Sequence, residues 1–304
     1  MSVPAARPAL ALTPGLHVRL RCAMASIAIV TDTSSDLLPE QAHAAGIHLV
    51  PLTVSFGDET FQAVTGLSNE RFYEMLIAPG APLPRTAAPN PQQFEAAYRE
   101  AFEGGADAVI CITISEQMSA TYASAVQAAG VFDTGRVEVL DSRTTTFSLG
   151  MIARQMAERA AQGATQSEIV ALARDLIPRS TILFVVDTLE YLQKGGRIGR
   201  ASALLGTMLS VKPILTVVDG MVATADKRRT SAKARARLLE LVSERPVEHA
   251  TVLHTVTSGI EAFRDELATA VGLAPEAVDI GLVGPVAGTH VGPGMYGVSL
   301  ISTA

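Results

Sequence analysis

Short, continuous apolar runs alternate with helix-length segments along the first half of the chain. Four runs have the length and composition of buried strands: Ser26 to Val30, Ile47 to Val50, Asp107 to Ile114 and Arg136 to Leu140. The segments between them carry helix-start signals, of which Asn90-Pro91-Gln92-Gln93 is the clearest, with an N-cap, a proline at the first helical position and a capping box. This alternation predicts an α/β fold with a parallel sheet that is covered by helices on both faces.

The second half keeps both kinds of segment but changes their order. Two apolar runs, Pro213 to Val218 and Met221 to Ala225, flank Asp219-Gly220, a dipeptide typical of a tight hairpin turn. A hairpin adds antiparallel pairs, so we expect a mixed sheet in this half. We place the domain boundary between residues 170 and 171, in a stretch where one helical segment follows another.

Neither end of the chain has the pattern of a membrane anchor. Residues 280–304 carry no formal charge, but Pro285, Pro293 and six glycines would make a poor lipid-exposed helix. We therefore expect a strand, a glycine-rich loop and a strand there, and no transmembrane segment. Residues 1–23 lack the apolar core and the cleavage site of a signal peptide, and a disordered extension is expected.

Charge and cysteine content argue against several classes of function. A net charge of −6 with only short basic runs makes nucleic acid an improbable partner. The two cysteines, Cys22 and Cys111, are too few for a disulfide framework, and no Cys/His spacing matches a zinc site. These features favour a cytoplasmic protein without a bound metal.

Three polar clusters stand at strand-to-helix junctions of an otherwise apolar chain: Thr31 to Asp36, Arg85 to Asn90 and Ser115 to Tyr122. Open α/β sheets bind their ligands at the carboxyl ends of the strands. Ser119 would lie at a helix N-terminus, where free backbone N–H groups favour an anion. Helix capping and turn formation explain the same residues without a ligand, so both interpretations stay open.

Two glycine-rich stretches, residues 195–199 and 288–294, mark the second half. Neither has the lysine and hydroxyl residue of a P-loop or the strand–helix context of a dinucleotide fingerprint. His290, which lies in the second stretch, has the chemistry to donate to a carboxylate or to act as a base. A structural histidine is the alternative.

Several stretches, in this order and spacing, resemble the DegV family of bacterial fatty-acid-binding proteins from about residue 24 to the end. The matching stretches are Ile29 to Leu37, Thr86 to Pro89, Ser119 to Ala125, Asp141-Ser142, Asp187 to Leu192, Gly195 to Ile198, Lys212 to Leu215 and His290 to Gly294. The resemblance implies an N-terminal three-layer α/β/α domain with a parallel sheet (24–170) and a C-terminal two-layer α/β domain with a mixed sheet (171–304).

The resemblance also implies a ligand site. Thr86, Ser119, the backbone of Ala120, and His290 correspond to the ligands of the fatty-acid head group. Asp32 lies in a matching stretch and is a further candidate for this site. Arg197 and Arg229 resemble basic positions near the head group or the partner surface, although a loop anchor and a solvated hairpin face are the alternatives.

By the same resemblance, the protein is a carrier without catalytic activity or cofactor. It would bury one long-chain fatty acid and present the carboxyl group to a separate fatty-acid kinase, which forms an acyl phosphate for lipid metabolism. The chain departs from the family pattern at Ala87 and Ala88, where Ser and Gln are usual, and at Ala120, where Gly is usual. The first departure removes a hydroxyl from the head-group surroundings, and the second adds a methyl group beside the carboxylate.

Other functions remain open on the sequence. An enzyme would use Ser119 as the nucleophile, His290 as the base and Asp32 or Asp141 as the orienting acid, but no G-x-S-x-G motif surrounds Ser119. A small-substrate enzyme related to the dihydroxyacetone-kinase substrate domain, which bonds its substrate through histidine, is a second alternative. A purely regulatory protein is the third.

Overall fold

The computed structural model describes residues 25–207 and 211–303, so the expected extension 1–23 lies outside the described residues. The strands are β1 (Ile27–Asp32), β2 (Ile47–Val50), β3 (Thr53–Phe56), β4 (Glu59–Gln62), β5 (Arg85–Ala87), β6 (Ala108–Thr113), β7 (Val137–Asp141), β8 (Ser180–Val185), β9 (Lys212–Val218), β10 (Met221–Arg228), β11 (Val247–His254), β12 (Val278–Leu282) and β13 (Tyr296–Ser302). The α-helices are α1 (Pro39–Ala44), α2 (Asn69–Leu76), α3 (Pro91–Glu103), α4 (Thr121–Ala129), α5 (Thr146–Ala161), α6 (Gln166–Arg179), α7 (Glu190–Lys194), α8 (Ser231–Val242), α9 (Ile260–Val271) and α10 (Pro285–Val291).

The first half contains a parallel sheet in the order β2-β1-β6-β7. All six residues of β6 are buried, because α3 and α4 cover one face of the sheet and α1, α5 and α6 cover the other. The predicted N-cap and capping box of α3 are confirmed, since Asn90 and Gln93 each accept the backbone N–H of the other. This half is the predicted three-layer α/β/α arrangement.

The second half contains a mixed sheet in the order β10-β9-β8-β13-β11-β12, as predicted. Only the β11–β12 pair is parallel. Asp219 and Gly220 form the β9–β10 turn with φ of 52° and 76°, the left-handed conformation that a tight hairpin turn requires. α8 and α9 pack on one face of this sheet and form its two-layer part.

Helices α5 and α6 lie between the two sheets. Ile301 of β13 belongs to the same buried core as Leu149 of α5 and Ile29 of β1. The Ser148 hydroxyl of α5 is hydrogen-bonded to the Ser299 hydroxyl of β13. The two halves therefore share one middle layer. Helix α6 runs across the proposed boundary at 170/171, and that boundary stays a prediction.

One local expectation was wrong. The glycine-rich segment between the last two strands contains helix α10, which starts at Pro285 and continues through His290. A proline suits the first helical position because its φ is already helical and no N–H is needed there. The cluster Arg85 to Asn90 does lie between a strand and a helix, because its first three residues form β5, which pairs with β3 in a small antiparallel sheet of order β4-β3-β5. This long-range pairing leaves no local pattern in so short a segment.

No helix within residues 25–207 and 211–303 is long and apolar enough to cross a bilayer. The described part of this uncharged segment, residues 280–303, is instead divided between a strand, a short helix and a second strand within the fold. Its apolar residues are used in the core, where Val283, Val298 and Ile301 are fully buried.

Candidate functional site

A cavity occupies the part of the middle layer that α5 and α6 leave free. The space between its lining residues has about 750 Å³ of empty volume, part of which is open solvent. Both halves of the chain contribute to its apolar wall: Leu52, Ile114, Met118, Ile182, Phe184, Leu192, Val217, Val222, Leu253, Val283, Val286, Ala287, Val291 and Met295. A wall of this kind favours an apolar ligand.

A few polar side chains line the same cavity: Thr86, Ser119, Thr145, Thr146, Arg197 and His290. The structure therefore brings three predicted head-group side chains, Thr86, Ser119 and His290, to one cavity, together with Arg197. The predicted ligand atom of Ala120 is its backbone N–H, and Ala120 is the N-cap residue of α4 next to Ser119. An apolar cavity with a few convergent polar groups is the form of a site that orients an amphipathic molecule.

Thr86 of β5 and His290 of α10 are hydrogen-bonded to each other at the polar part of the cavity wall. The Thr86 Oγ1 atom is hydrogen-bonded to His290 Nε2 at 2.9 Å, although 204 positions separate the residues. Burial, and to a lesser degree the positive charge of Arg197, lowers the pKa of His290 to about 4. The ring is thus neutral at neutral pH, and its second nitrogen, Nδ1, is buried without a protein partner.

Ser119 and Arg197 occupy the neighbouring part of the cavity wall. The Ser119 hydroxyl is hydrogen-bonded to Thr121 Oγ1 at 2.7 Å and accepts the Thr121 backbone N–H at 3.3 Å. Arg197 donates from Nε to the Met118 carbonyl at 3.0 Å and from a terminal nitrogen to the Gly195 carbonyl at 2.8 Å. These carbonyls hold the guanidinium in place, and no carboxylate of residues 25–207 and 211–303 is paired with it. Its charge remains available to an anionic ligand.

Asp32 and Arg229, the two other candidates, do not line the cavity. Asp32 is fully buried at the end of β1, where its carboxylate accepts the Ser34 backbone N–H and the Ile114 backbone N–H, at 2.9 and 2.8 Å. Burial raises its pKa, and the hydrogen bonds oppose that rise. Arg229 lies on the exposed surface after β10. The Asp32 carboxylate thus links the end of β1 to Ile114, the residue after β6. Arg229 is a surface residue.

The geometry of a hydrolytic triad is not assembled. The hydrogen bonds of Ser119 run to Thr121 and those of His290 to Thr86, not to each other. Asp141 accepts backbone N–H groups of Glu116 and Arg143, and no acid orients His290 Nδ1. Among the described residues, no group of three side chains is placed to hold a metal ion.

Two polar cavity residues, Thr145 and Thr146, were missed by the sequence analysis. Thr146 has a φ of 52° and a buried hydroxyl without a protein partner. The sequence did contain a signal for these two residues: Thr144-Thr145-Thr146 is a polar run that follows β7 and leads into α5, a place where open α/β sheets bind ligands. Outside the cavity, Arg85, Lys194 and Tyr191 line an open cleft that shares Thr86, Arg197 and His290 with it.

Comparison with known proteins points to one family. The family model for DegV, described as uncharacterised proteins, matches residues 26–303. A DegV domain-containing protein of Deinococcus radiodurans is 40% identical over 278 residues, which cover 90% of this chain and 98% of that protein. A Thermus thermophilus DegV family protein described for its fatty-acid binding superposes with a TM-score of 0.84 and 34% identity, over 91% of this chain and all of the other. Bacillus subtilis DegV, described as a fatty-acid-binding protein, has a TM-score of 0.81 and 30% identity over 92% of this chain and 100% of the other.

Proposed function

Because the chain belongs to the DegV family, we propose that it is a carrier that buries one long-chain fatty acid and presents the carboxyl group to a fatty-acid kinase. The observation that carries this proposal is the single cavity wall that is apolar along most of its length and polar at Thr86, Ser119, Arg197 and His290. The relatives from Thermus thermophilus and Bacillus subtilis, described as binding fatty acids, support the choice of ligand.

The acyl tail would supply most of the affinity. Burial of about 14 methylene groups at roughly 0.8 kcal/mol each amounts to roughly 11 kcal/mol before the loss of ligand motion is counted. An acid with such a tail leaves only its head group in need of hydrogen bonds. The few polar side chains of the wall match that need.

The head group would be held by four kinds of donor. These are the Ser119 hydroxyl, the single proton that the hydrogen-bonded pair of Thr86 and neutral His290 leaves free, the backbone N–H groups around Ala120 at the start of α4, and the charge of Arg197. A buried carboxylate without such partners would cost several kcal/mol. Asp32 has no part in this proposal, because its oxygens are used by backbone groups.

The open cleft beside the head-group residues supports presentation to a kinase. Arg85 is exposed there, beside Thr86 and His290, and would offer positive charge to an incoming phosphoryl donor. Lys194 also lines the cleft but is paired with Glu190 at 2.6 Å, and Asp58 lines it too. Arg229 would belong to the surface that meets the kinase. In this function the chain supplies no catalytic group and no cofactor and acts in the cytoplasm beside its kinase partner.

Mass spectrometry of the purified protein, first native and then after solvent extraction, tests the carrier function. We expect one long-chain acid per chain, and Thr86→Ala with Ser119→Ala should weaken its retention about tenfold or more, as the loss of two hydrogen bonds to a charged group implies. Thr60→Ala is the matched control, since that hydroxyl bonds Ser55 away from the cavity wall. If no acid binds even after incubation with a panel of acids, the carrier function is wrong and a small-substrate enzyme or a regulatory protein is favoured.

The kinase step needs a separate assay. A fatty-acid kinase added to the loaded protein with ATP should form acyl phosphate, and His290→Ala should slow this reaction. Normal turnover by His290→Ala would leave the histidine with a structural role. Retention of the acid without any phosphorylation by the kinases tested would limit the function to storage or transport.

A further inference from the structure

Phe147, the second residue of α5, lies next to the cavity and lines a second hollow. Its side chain packs against the apolar cluster that contains the cavity-lining Phe184 and Leu253. The two residues before it, Thr145 and Thr146, line the cavity. On its other side Phe147 lines an open groove between α1, α5 and β12. The Phe147 side chain therefore lies between the cavity and this groove.

The ring is seated over the edge strand of the mixed sheet. Leu253 of β11 pairs in register with Gly281 of β12, so both positions face the same side of the sheet. A Cβ atom on Gly281 would lie 2.2 Å from Cζ of Phe147 and 2.6 Å from both Cε atoms. The ring therefore fills the space that a side chain at Gly281 would occupy, directly beside the cavity wall at Leu253.

The polar end of the cavity lies toward the opposite edge of the same sheet. The Ser115 hydroxyl donates to the Gly220 carbonyl in the β9–β10 turn at 2.8 Å, which brings the segment with Ser119 to that edge. Arg197 is joined to the same segment through the Met118 carbonyl. Ser119 and Arg197, two of the head-group residues, thus lie near β10, and Phe147 lies over β12, with the other strands of the sheet between them.

The distance between these two ends fits one acyl chain. Four strand spacings separate β10 from β11, which is about 19 Å at roughly 4.8 Å each. A fully extended chain advances roughly 1.2 Å per bond, so an extended 16-carbon acid spans about 18 Å. A tail that starts at the polar end would therefore reach the neighbourhood of Leu253 and meet the ring of Phe147.

We propose that Phe147 closes the tail end of the cavity and thereby sets the longest acyl chain that the protein accepts, an inference that rests on the proposed carrier function. A longer tail would have to push the ring toward the outer groove. That groove is lined partly by Met151 and Ile280 but also by charged residues such as Arg154 and Asp279. With the ring removed, the groove becomes a continuation of the cavity with apolar surface for additional methylene groups.

Competition binding of saturated acids to the delipidated full-length protein tests the inference. We expect the native chain to bind hexadecanoic acid far more tightly than docosanoic acid. Phe147→Ala should improve the binding of docosanoic acid relative to hexadecanoic acid by about tenfold or more, since each newly buried methylene strengthens binding about fourfold. Phe147→Leu should give a smaller shift of the same sign. Phe132→Ala, a half-buried phenylalanine of another apolar cluster that lines neither the cavity nor the groove, is the matched control and should leave the ratio unchanged.

A double variant tests the position of the ring independently of ligand. Gly281→Ala should lower the thermal stability of the native chain, because the new methyl group meets the ring, and should be tolerated in the Phe147→Ala background. Equal destabilisation in both backgrounds would overturn the proposed seating of Phe147.

The outcomes separate this inference from the carrier function. If no acid of either length binds the native chain, the carrier function fails and this inference fails with it. If hexadecanoic acid binds and Phe147→Ala and Phe147→Leu leave the ratio unchanged, only the role of Phe147 is refuted. Equal binding of both acids by the native chain would also refute it. Should Phe147→Ala not fold, Phe147→Leu decides the result.

Discussion

At the scale of single residues, burial rather than sequence position determines the chemistry of the site. His290 is neutral because the cavity wall removes it from water and Arg197 adds positive charge nearby. A neutral imidazole has one donor and one acceptor nitrogen, and Thr86 engages one of them. Thr86 and His290 are thereby arranged for a ligand before it arrives.

The lowered pKa of His290 predicts an acid-sensitive contribution to stability. The pKa is about 4 in the folded chain and about 6.5 in the unfolded chain, so the unfolded chain binds more protons between these values. This contribution, about 3 kcal/mol, is fully present above about pH 6.5 and is lost as the pH falls to about 4. Urea unfolding of the delipidated protein across this range should show it.

The control for this prediction is His290→Gln, which keeps a polar side chain but does not titrate. The difference in unfolding free energy between the two proteins should change across the window, since the buried aspartates contribute equally to both. A constant difference from neutral to acidic pH would contradict the lowered pKa of His290.

At the scale of elements, the position of α10 depends on Gly288, whose missing side chain lets α10 pack closely against α2. A Cβ atom on Gly288 would lie 2.7 Å from Cε1 of Phe72 and 2.7 Å from the hydroxyl of Tyr73, both buried in α2. The Tyr73 hydroxyl also donates to the Val283 carbonyl, just before α10. This contact between α2 and α10 sets where His290 stands relative to Thr86.

Gly288→Ala should therefore affect both stability and ligand binding. The methyl group must displace α10 or the two rings, at a cost of about 1–3 kcal/mol of unfolding free energy, and fatty-acid retention should fall because His290 moves. Thermal unfolding and retention assays measure the two effects. Gly206→Ala, with no atom of the described residues within 4 Å of the new Cβ, is the control and should change neither. Unchanged retention by Gly288→Ala would mean that α10 does not position the head group.

At the scale of the whole molecule, the cavity completes the layer that joins the two halves. α5 and α6 fill one part of this layer and bury residues of both sheets, such as Ile29 and Ile301. The remaining part is bounded by apolar side chains of both halves. A bound acyl chain would therefore extend the shared core.

Removal of the bound acid should lower the thermal stability of the protein. A ligand that binds only the folded chain adds about 2.7 kcal/mol at a free concentration one hundred times its Kd, which corresponds to roughly 5 °C or more in Tm. Calorimetry of the loaded and the delipidated protein checks this. Equal Tm values would show that the acid is not bound within the shared core.

The sequence alone determined the elements and much of the site. The buried runs, the capping box at Asn90 and the turn at Asp219-Gly220 are local signals, and each is present in the structure. They sufficed to predict the fold class, and the resemblance named Thr86, Ser119 and His290, which do meet in one cavity. Local signals succeed because helix starts and tight turns depend on a few adjacent residues.

Only the tertiary structure decided how these parts meet. It showed α10 inside the glycine-rich segment, β5 paired to β3, and Asp32 turned into the core instead of the cavity. It also placed Phe147 over Gly281, a contact between residues more than a hundred positions apart. Such contacts depend on side chains that converge from distant elements, and no local pattern of the chain records which distant residues will share a space.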